Sequence, residues 1–181
     1  MLYITIPATE LWDELNQEFI ITKATTLQLE HSLVSISKWE AKWQKPFLTK
    51  EPKTSEETLD YIKCMTLTQN VNPSTYERLS YQNVTEINNY VESAMTATTI
   101  TERNKNKAGN TEQITSELIY YWMIALNIPF DCQKWHLNRL LTLIRVCNIK
   151  NQPPEKRSRR EIMSRNAALN AARRQQLNSK G

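Results

Sequence analysis

The sequence predicts a mainly α-helical fold: a helical domain around a two-helix hairpin, with a small N-terminal β element and a basic C-terminal helix. Three observations predict it. Glycine is nearly absent, with only Gly109 and Gly181 among 181 residues. Almost no position therefore adopts a positive φ cheaply, which disfavours turn-rich sandwiches and barrels. Helix-start signals recur along the chain, as in Thr54-Ser55-Glu56-Glu57. Apolar residues also repeat at a three-to-four spacing across most of the region between them.

Taken in order, Leu2, Ile4 and Ile6 alternate with Tyr3 and Thr5 ahead of Pro7, the period of a short strand. Thr9 is placed to cap a short helix bearing Leu11, Trp12, Leu15 and Phe19. The β-prone runs Phe19-Ile20-Ile21-Thr22 and Thr25-Thr26-Leu27-Gln28-Leu29 compete with it and favour a small sheet or hairpin. Ser32 opens a helix whose Leu33, Ile36, Trp39 and Trp43 share one face, and Pro46 ends it. Thr54 and Glu57 form a capping box ahead of the stripe Leu59, Ile62 and Met65. Asn72-Pro73 reads as cap and first residue of a short helix through Leu79. Asn83, with Glu86 three residues on, reads as the cap of a helix carrying Val84, Ile87, Val91 and Met95. Residues 96–110, TATTITERNKNKAGN, have no apolar period and read as a long mobile or partner-ordered connection.

The apolar centre follows. Residues 111–128 carry Ile114, Leu118, Ile119, Tyr121, Trp122, Ala125 and Ile128 on more than one helical face. Pro129 forces a break, and Asp131 is placed to cap a second helix from Cys132 to about Ile149, completing the predicted hairpin. Pro153-Pro154 then marks a boundary between a core domain, residues 1–151, and an arm, residues 152–181, which Ser158 and Glu161 are spaced to cap.

The net charge of +4 is unevenly spread. Residues 1–149 hold 14 Lys/Arg against 17 Asp/Glu, and residues 150–181 hold 9 against 2. Arg157, Arg159, Arg160, Arg165, Arg173 and Arg174 give the arm its charge, and Ile162 and Leu169 give it a thin apolar seam. Such an arm neutralises phosphate, stays solvated, or docks on an acidic protein surface. The absence of interleaved aromatic rings makes nucleic acid the weaker reading and a protein partner the stronger.

Enzyme chemistry finds little support. No GxGxxG or Walker-type loop fits two glycines so far apart. Cys64, Cys132 and Cys147 lack framework or nucleophile spacing and read as reduced, packed thiols. Cys132 and His136 are spaced for one helical face, but Cys147 would lie about 15 Å away on a straight helix, so a buried His136 hydrogen-bonded to a neighbour is the better reading. The carboxylate pairs Asp13-Glu14 and Glu56-Glu57 are explained as first-turn residues. No motif asks for a cofactor. The N-terminus lacks a signal peptide's pattern, and no run of about 18 apolar residues reads as a membrane span. Five tryptophans, Trp12, Trp39, Trp43, Trp122 and Trp135, are many for this length and at helical spacing read first as core or intramolecular packing. For partner contact Tyr120-Tyr121-Trp122 is the best candidate, because adjacent rings on a helix must point to different faces.

Several segments resemble the tail assembly chaperones of tailed bacteriophages: LEHSLVSISKWEAKWQKPFL (residues 29–48), DYIKCMT (60–66), MTATT (95–99), IYYWMIALNIPFDCQKWHLNRLLTLIRVCNIKN (119–151) and the basic ending SRNAALNAARRQQLNSKG (164–181). The resemblance implies a non-enzymatic protein of the host cytoplasm that binds the tape measure protein during tail assembly, with some relatives also made in a longer, frameshifted form. A basic arm with its own cap departs from a purely transient holder. It equally suits a structural virion protein of the tail, baseplate or connector whose arm clasps a neighbouring subunit, and either role admits a homo-oligomer.

Overall fold

A computed structural model of the chain describes residues 1–13, 18–100, 113–152 and 159–177. The fold is mainly helical with a small N-terminal β element. Most of the connection expected at residues 96–110, together with Pro153-Pro154 and Ser158, lies outside the described residues.

Strand β1 (Leu2–Ile6) pairs antiparallel with β4 (Thr25–Leu29), and β2 (Thr9–Asp13) pairs with β3 (Glu18–Thr22), so one ladder is nested in sequence inside the other. The period-2 pattern buries Ile4, Ile6, Leu27 and Leu29 on one face. Residues 9–13 form a strand where a Thr9-capped helix was expected. Thr9 instead exchanges two hydrogen bonds with the Thr22 side chain, and pairing with the β-prone Phe19-Ile20-Ile21 run overrides the helical spacing.

Helix α1 (Leu33–Trp43) starts at Ser32 in a reciprocal capping box with Ser35. Helix α2 (Ser55–Met65) starts at Thr54, whose Oγ accepts from the Glu57 N–H at 3.2 Å while its own N–H donates to Glu57 Oε2 at 2.8 Å. Thr54→Ala is expected to cost about 1 kcal/mol, a fall in Tm of about 2–4 °C read by thermal melting, with the native circular dichroism retained. After α2, the Leu67 and Glu30 amides donate to Gln28 and Met65 carbonyls, adding a short third segment beside β4.

Two boundaries differ from the sequence reading. Helix α3 (Ser74–Glu77) is shorter than expected, although Asn72 Oδ1 does accept from the Ser74 amide. Helix α4 (Tyr81–Glu92) is capped by Ser80, and Asn83, expected as the cap, is its reciprocal partner three residues in. Ser80 has the better local geometry because it precedes a residue whose side chain reaches back to its N–H. The helix also stops before Met95, whose φ is +48°.

The two helices expected around Pro129 are α5 (Ser116–Ala125) and α6 (Leu137–Asn151), but a 3-10 helix (Phe130–Lys134) separates them. Asp131 lies inside that 3-10 helix and does not cap α6. The chain there is held extended against the start of α1: the Leu137 amide donates to the His31 carbonyl at 2.9 Å, and Ser32 and His136 form a β-bridge. The centre of the core is accordingly α1, against which α2, α5 and the 3-10 helix pack. Leu33, Ile36 and Trp39 of α1 join Ile62 and Met65, Ile119 and Met123, and Leu137, Leu140 and Ile144 in one apolar cluster.

The chain divides into two compact units, Met1–Asn148 and Ile149–Gly181. The second contains α7 (Arg159–Leu177), a 19-residue helix. Among the described residues no helix is long and apolar enough to cross a membrane.

Candidate partner-binding surface

Helix α5 has two apolar faces with different fates. Ile119 and Met123, four residues apart, are fully buried toward α1. On the other side Tyr121 and Ile124 are 62% and 60% exposed, and Phe130 of the 3-10 helix adds a third large exposed side chain. The face is fixed by a contact distant in sequence. Glu40, buried near the end of α1, accepts the Ser116 amide through Oε2 and the Phe47 amide through Oε1, both at 2.7 Å. This carboxylate holds the first turn of α5 against α1 and so decides which side of α5 looks outward.

Around this stripe the three adjacent aromatics separate as helical geometry requires. Tyr120 is half-buried, its hydroxyl donates to Gln133 Oε1 at 3.0 Å and its ring lies 6.3 Å from Phe130. Desolvation there raises its pKa. Trp122 is half-buried and packs on the core cluster. Tyr121 alone of the three is exposed. Glu117, one turn before Tyr121, has its carboxyl pKa held down by hydrogen bonds at the helix start, so the stripe has a fixed negative charge at one end. The sequence reading missed Ile124 and Phe130. Their signal was the three-residue step from Tyr121 to Ile124 opposite the Ile119–Met123 pair, which alone does not say which face is inside.

Of the predicted arm residues, Arg160, Arg165, Leu169, Arg173 and Arg174 are exposed along α7, as are Met163 and Leu177. Arg159 and Ile162 belong to its first turn, and Arg157 lies outside the described residues.

His31 and His136 are brought together from opposite ends of the core domain, with ring centroids 4.9 Å apart and both side chains buried. His31 Nδ1 is hydrogen-bonded to the Tyr61 hydroxyl. His136 Nε2 donates to the Tyr90 carbonyl at 3.0 Å, which fixes the neutral tautomer with an unprotonated Nδ1. Burial, reinforced by the neighbouring His136, lowers the His31 pKa to about 3, and burial lowers that of His136 as well. The Tyr90 hydroxyl donates to Glu30 at 2.8 Å. These groups tie the β4–α1 junction to α2, α4 and the chain entering α6. Among the described residues no three His, Cys, Asp or Glu side chains are grouped to hold a metal ion. Cys132, on the 3-10 helix, and His136, beyond its end, do not share the helical face expected of them.

Comparison with protein-family models, with curated proteins and with solved structures found no match.

Proposed function

We propose that this chain is a non-enzymatic bacteriophage tail assembly chaperone that binds the tape measure protein in the host cytoplasm during tail morphogenesis. The observation that carries the reading is the outward stripe of α5, where Tyr121 and Ile124 lie exposed on a helix whose other face is anchored in the core and whose Tyr120 ring lies 6.3 Å from the exposed Phe130. Large apolar side chains grouped on a rigid surface suit the apolar face of a partner helix, and the tape measure protein is a long helical one. The segment resemblance supports the same partner.

The test is co-expression with the tape measure protein followed by affinity purification. The wild-type chain is expected to retain its partner. Tyr121→Ser combined with Ile124→Ser is expected to weaken binding tenfold or more, with a Tm within about 2 °C of wild type because both side chains are already in water. Retention of the partner by a folded double variant would sink the assignment to this stripe. Mass spectrometry of mature particles against infected-cell lysate, following peptides from residues 119–148, is expected to find the chain abundant in lysate and absent from particles.

One observation favours a second reading. Every described α7 side chain from Met163 to Leu177 is exposed, giving a basic arm with unburied Met163, Leu169 and Leu177. An arm of that kind suits a structural virion protein clasping a neighbouring subunit, and a fixed copy number per particle would favour it over the chaperone.

A further inference from the structure

We propose that the cleft between the start of α1 and the end of α2 is a second anchor site, which takes an aliphatic side chain from a partner segment with acidic flanking residues. The cleft has a volume of about 300 Å³ and is walled by Val34, Cys64, Met65 and Leu67. That is the lower end of ligand-pocket sizes and accommodates one or two aliphatic side chains. Its walls are preformed: the Ser32 capping box fixes the first turn of α1, and the bonds from Leu67 to Gln28 and from Glu30 to Met65 fix the chain leaving α2. Preformed walls spare the partner the cost of ordering them.

The charge of the lining gives the sign of the partner. Lys38 and Lys134 both line the cleft, both are exposed, and neither joins an ion pair among the described residues. The one carboxylate there, Glu30, already accepts from the Tyr90 hydroxyl and pairs with the Met1 amine at 3.4 Å. The charge left for a partner is therefore positive, and acidic residues flanking the anchor meet it. Apolar surface continues beyond the cleft, because Met1 and Leu67 are about half exposed at its edge. A small molecule inside leaves those side chains wet, whereas a segment of chain laid across the opening covers them. The site is separate from the α5 stripe and stands or falls without it.

Nuclear magnetic resonance titration of the full chain with two synthetic peptides, acetyl-ELLELE-amide and acetyl-KLLKLK-amide, tests this. The acidic peptide is expected to shift the signals of Val34, Cys64, Met65 and Leu67, to slow alkylation of Cys64 at least threefold, and to bind at least tenfold more tightly than the basic one. Lys38→Glu with Lys134→Glu, both surface changes, is expected to abolish that preference while the circular dichroism spectrum is unchanged. Equal binding of the two peptides, or no shift at the four lining residues, overturns the proposal. So does binding of sodium octanoate where the acidic peptide is inert, which makes the cleft a small-molecule site. Concentration-dependent shifts of the same residues without peptide identify a second copy of the chain as the occupant and also overturn it.

Discussion

Replacing Glu40 with alanine is expected to destabilise the chain by about 3 kcal/mol, because two buried backbone amides lose a charged acceptor at once. Glu40 Oε1 accepts from Phe47 and Oε2 from Ser116, each at 2.7 Å, and the side chain is 8% exposed. Neither amide is close to water, so the cost is the desolvation of two unpaired donors as well as the lost bonds. For a chain of this size the corresponding fall in Tm is about 6–12 °C. Glu40→Gln separates the causes: its single carbonyl oxygen satisfies one amide, while its NH2 group opposes the other, so an intermediate loss is expected. Thermal and urea unfolding of the three proteins check this, and a Tm for Glu40→Ala within 2 °C of wild type would refute it. Because Glu40 also sets the first turn of α5, the alanine variant is expected to lose binding at the Tyr121–Ile124 stripe even below its own Tm.

Acidification is expected to destabilise the protein through His31 before the paired carboxylates of Asp60 and Glu57 are protonated. The His31 pKa is lowered to about 3 by burial and by His136 alongside it, against an ordinary value of 6.5. As pH falls below 6.5 the unfolded chain takes up a proton that the folded chain refuses, so stability is complete above that value and declines down to the folded pKa. Between pH 7 and pH 4.5 the loss from His31 alone is on the order of 2–3 kcal/mol. His136, whose pKa is also lowered by burial, adds to the loss in the same direction. Asp60 and Glu57 act at lower pH. Their pKa values are held down first by hydrogen bonds from Lys42 and Lys45 respectively, so the stability they lend is lost only as pH falls through the ordinary carboxylate range and below. Urea unfolding from pH 7 to pH 2 follows both windows, and the range from pH 7 to pH 4.5 reports the histidines. His31→Asn, which keeps a short polar group beside the Tyr61 hydroxyl, is expected to flatten the slope over that range. An unchanged slope in the variant would place the acid sensitivity elsewhere.

Local signals carried the fold class. Ser32 was legible as a helix start and Thr54-Glu57 as a capping box because such signals need only residues three apart. The Thr54 box forms as read, and Ser32 caps α1 with Ser35 as a reciprocal partner that the sequence reading did not pair. The alternation of Ile4 and Ile6 and of Leu27 and Leu29 marked the two strands of the outer ladder for the same reason, each strand stating its own period, but not that they pair with each other. The sequence also nominated Tyr121 and the arginines of the arm as candidates for partner contact, since residue type and charge do not depend on the fold.

Tertiary structure decided what those residues face. Glu40 reads in sequence as an ordinary charged position on an amphipathic helix, and becomes a buried anchor only because α5 and the Phe47 turn converge on it. His31 and His136 carry no mutual signal in the sequence, and meet because the chain entering α6 is stitched to the start of α1. That stitching also replaced the expected start of the second hairpin helix with a 3-10 helix and an extended link, overriding the cap at Asp131. Local propensities act through hydrogen bonds that neighbours in sequence supply, so the sequence alone determined them. Burial, the pKa values that follow from it and the outward face of α5 depend on contacts between distant segments, whose free energy exceeds the roughly 1 kcal/mol of any single cap.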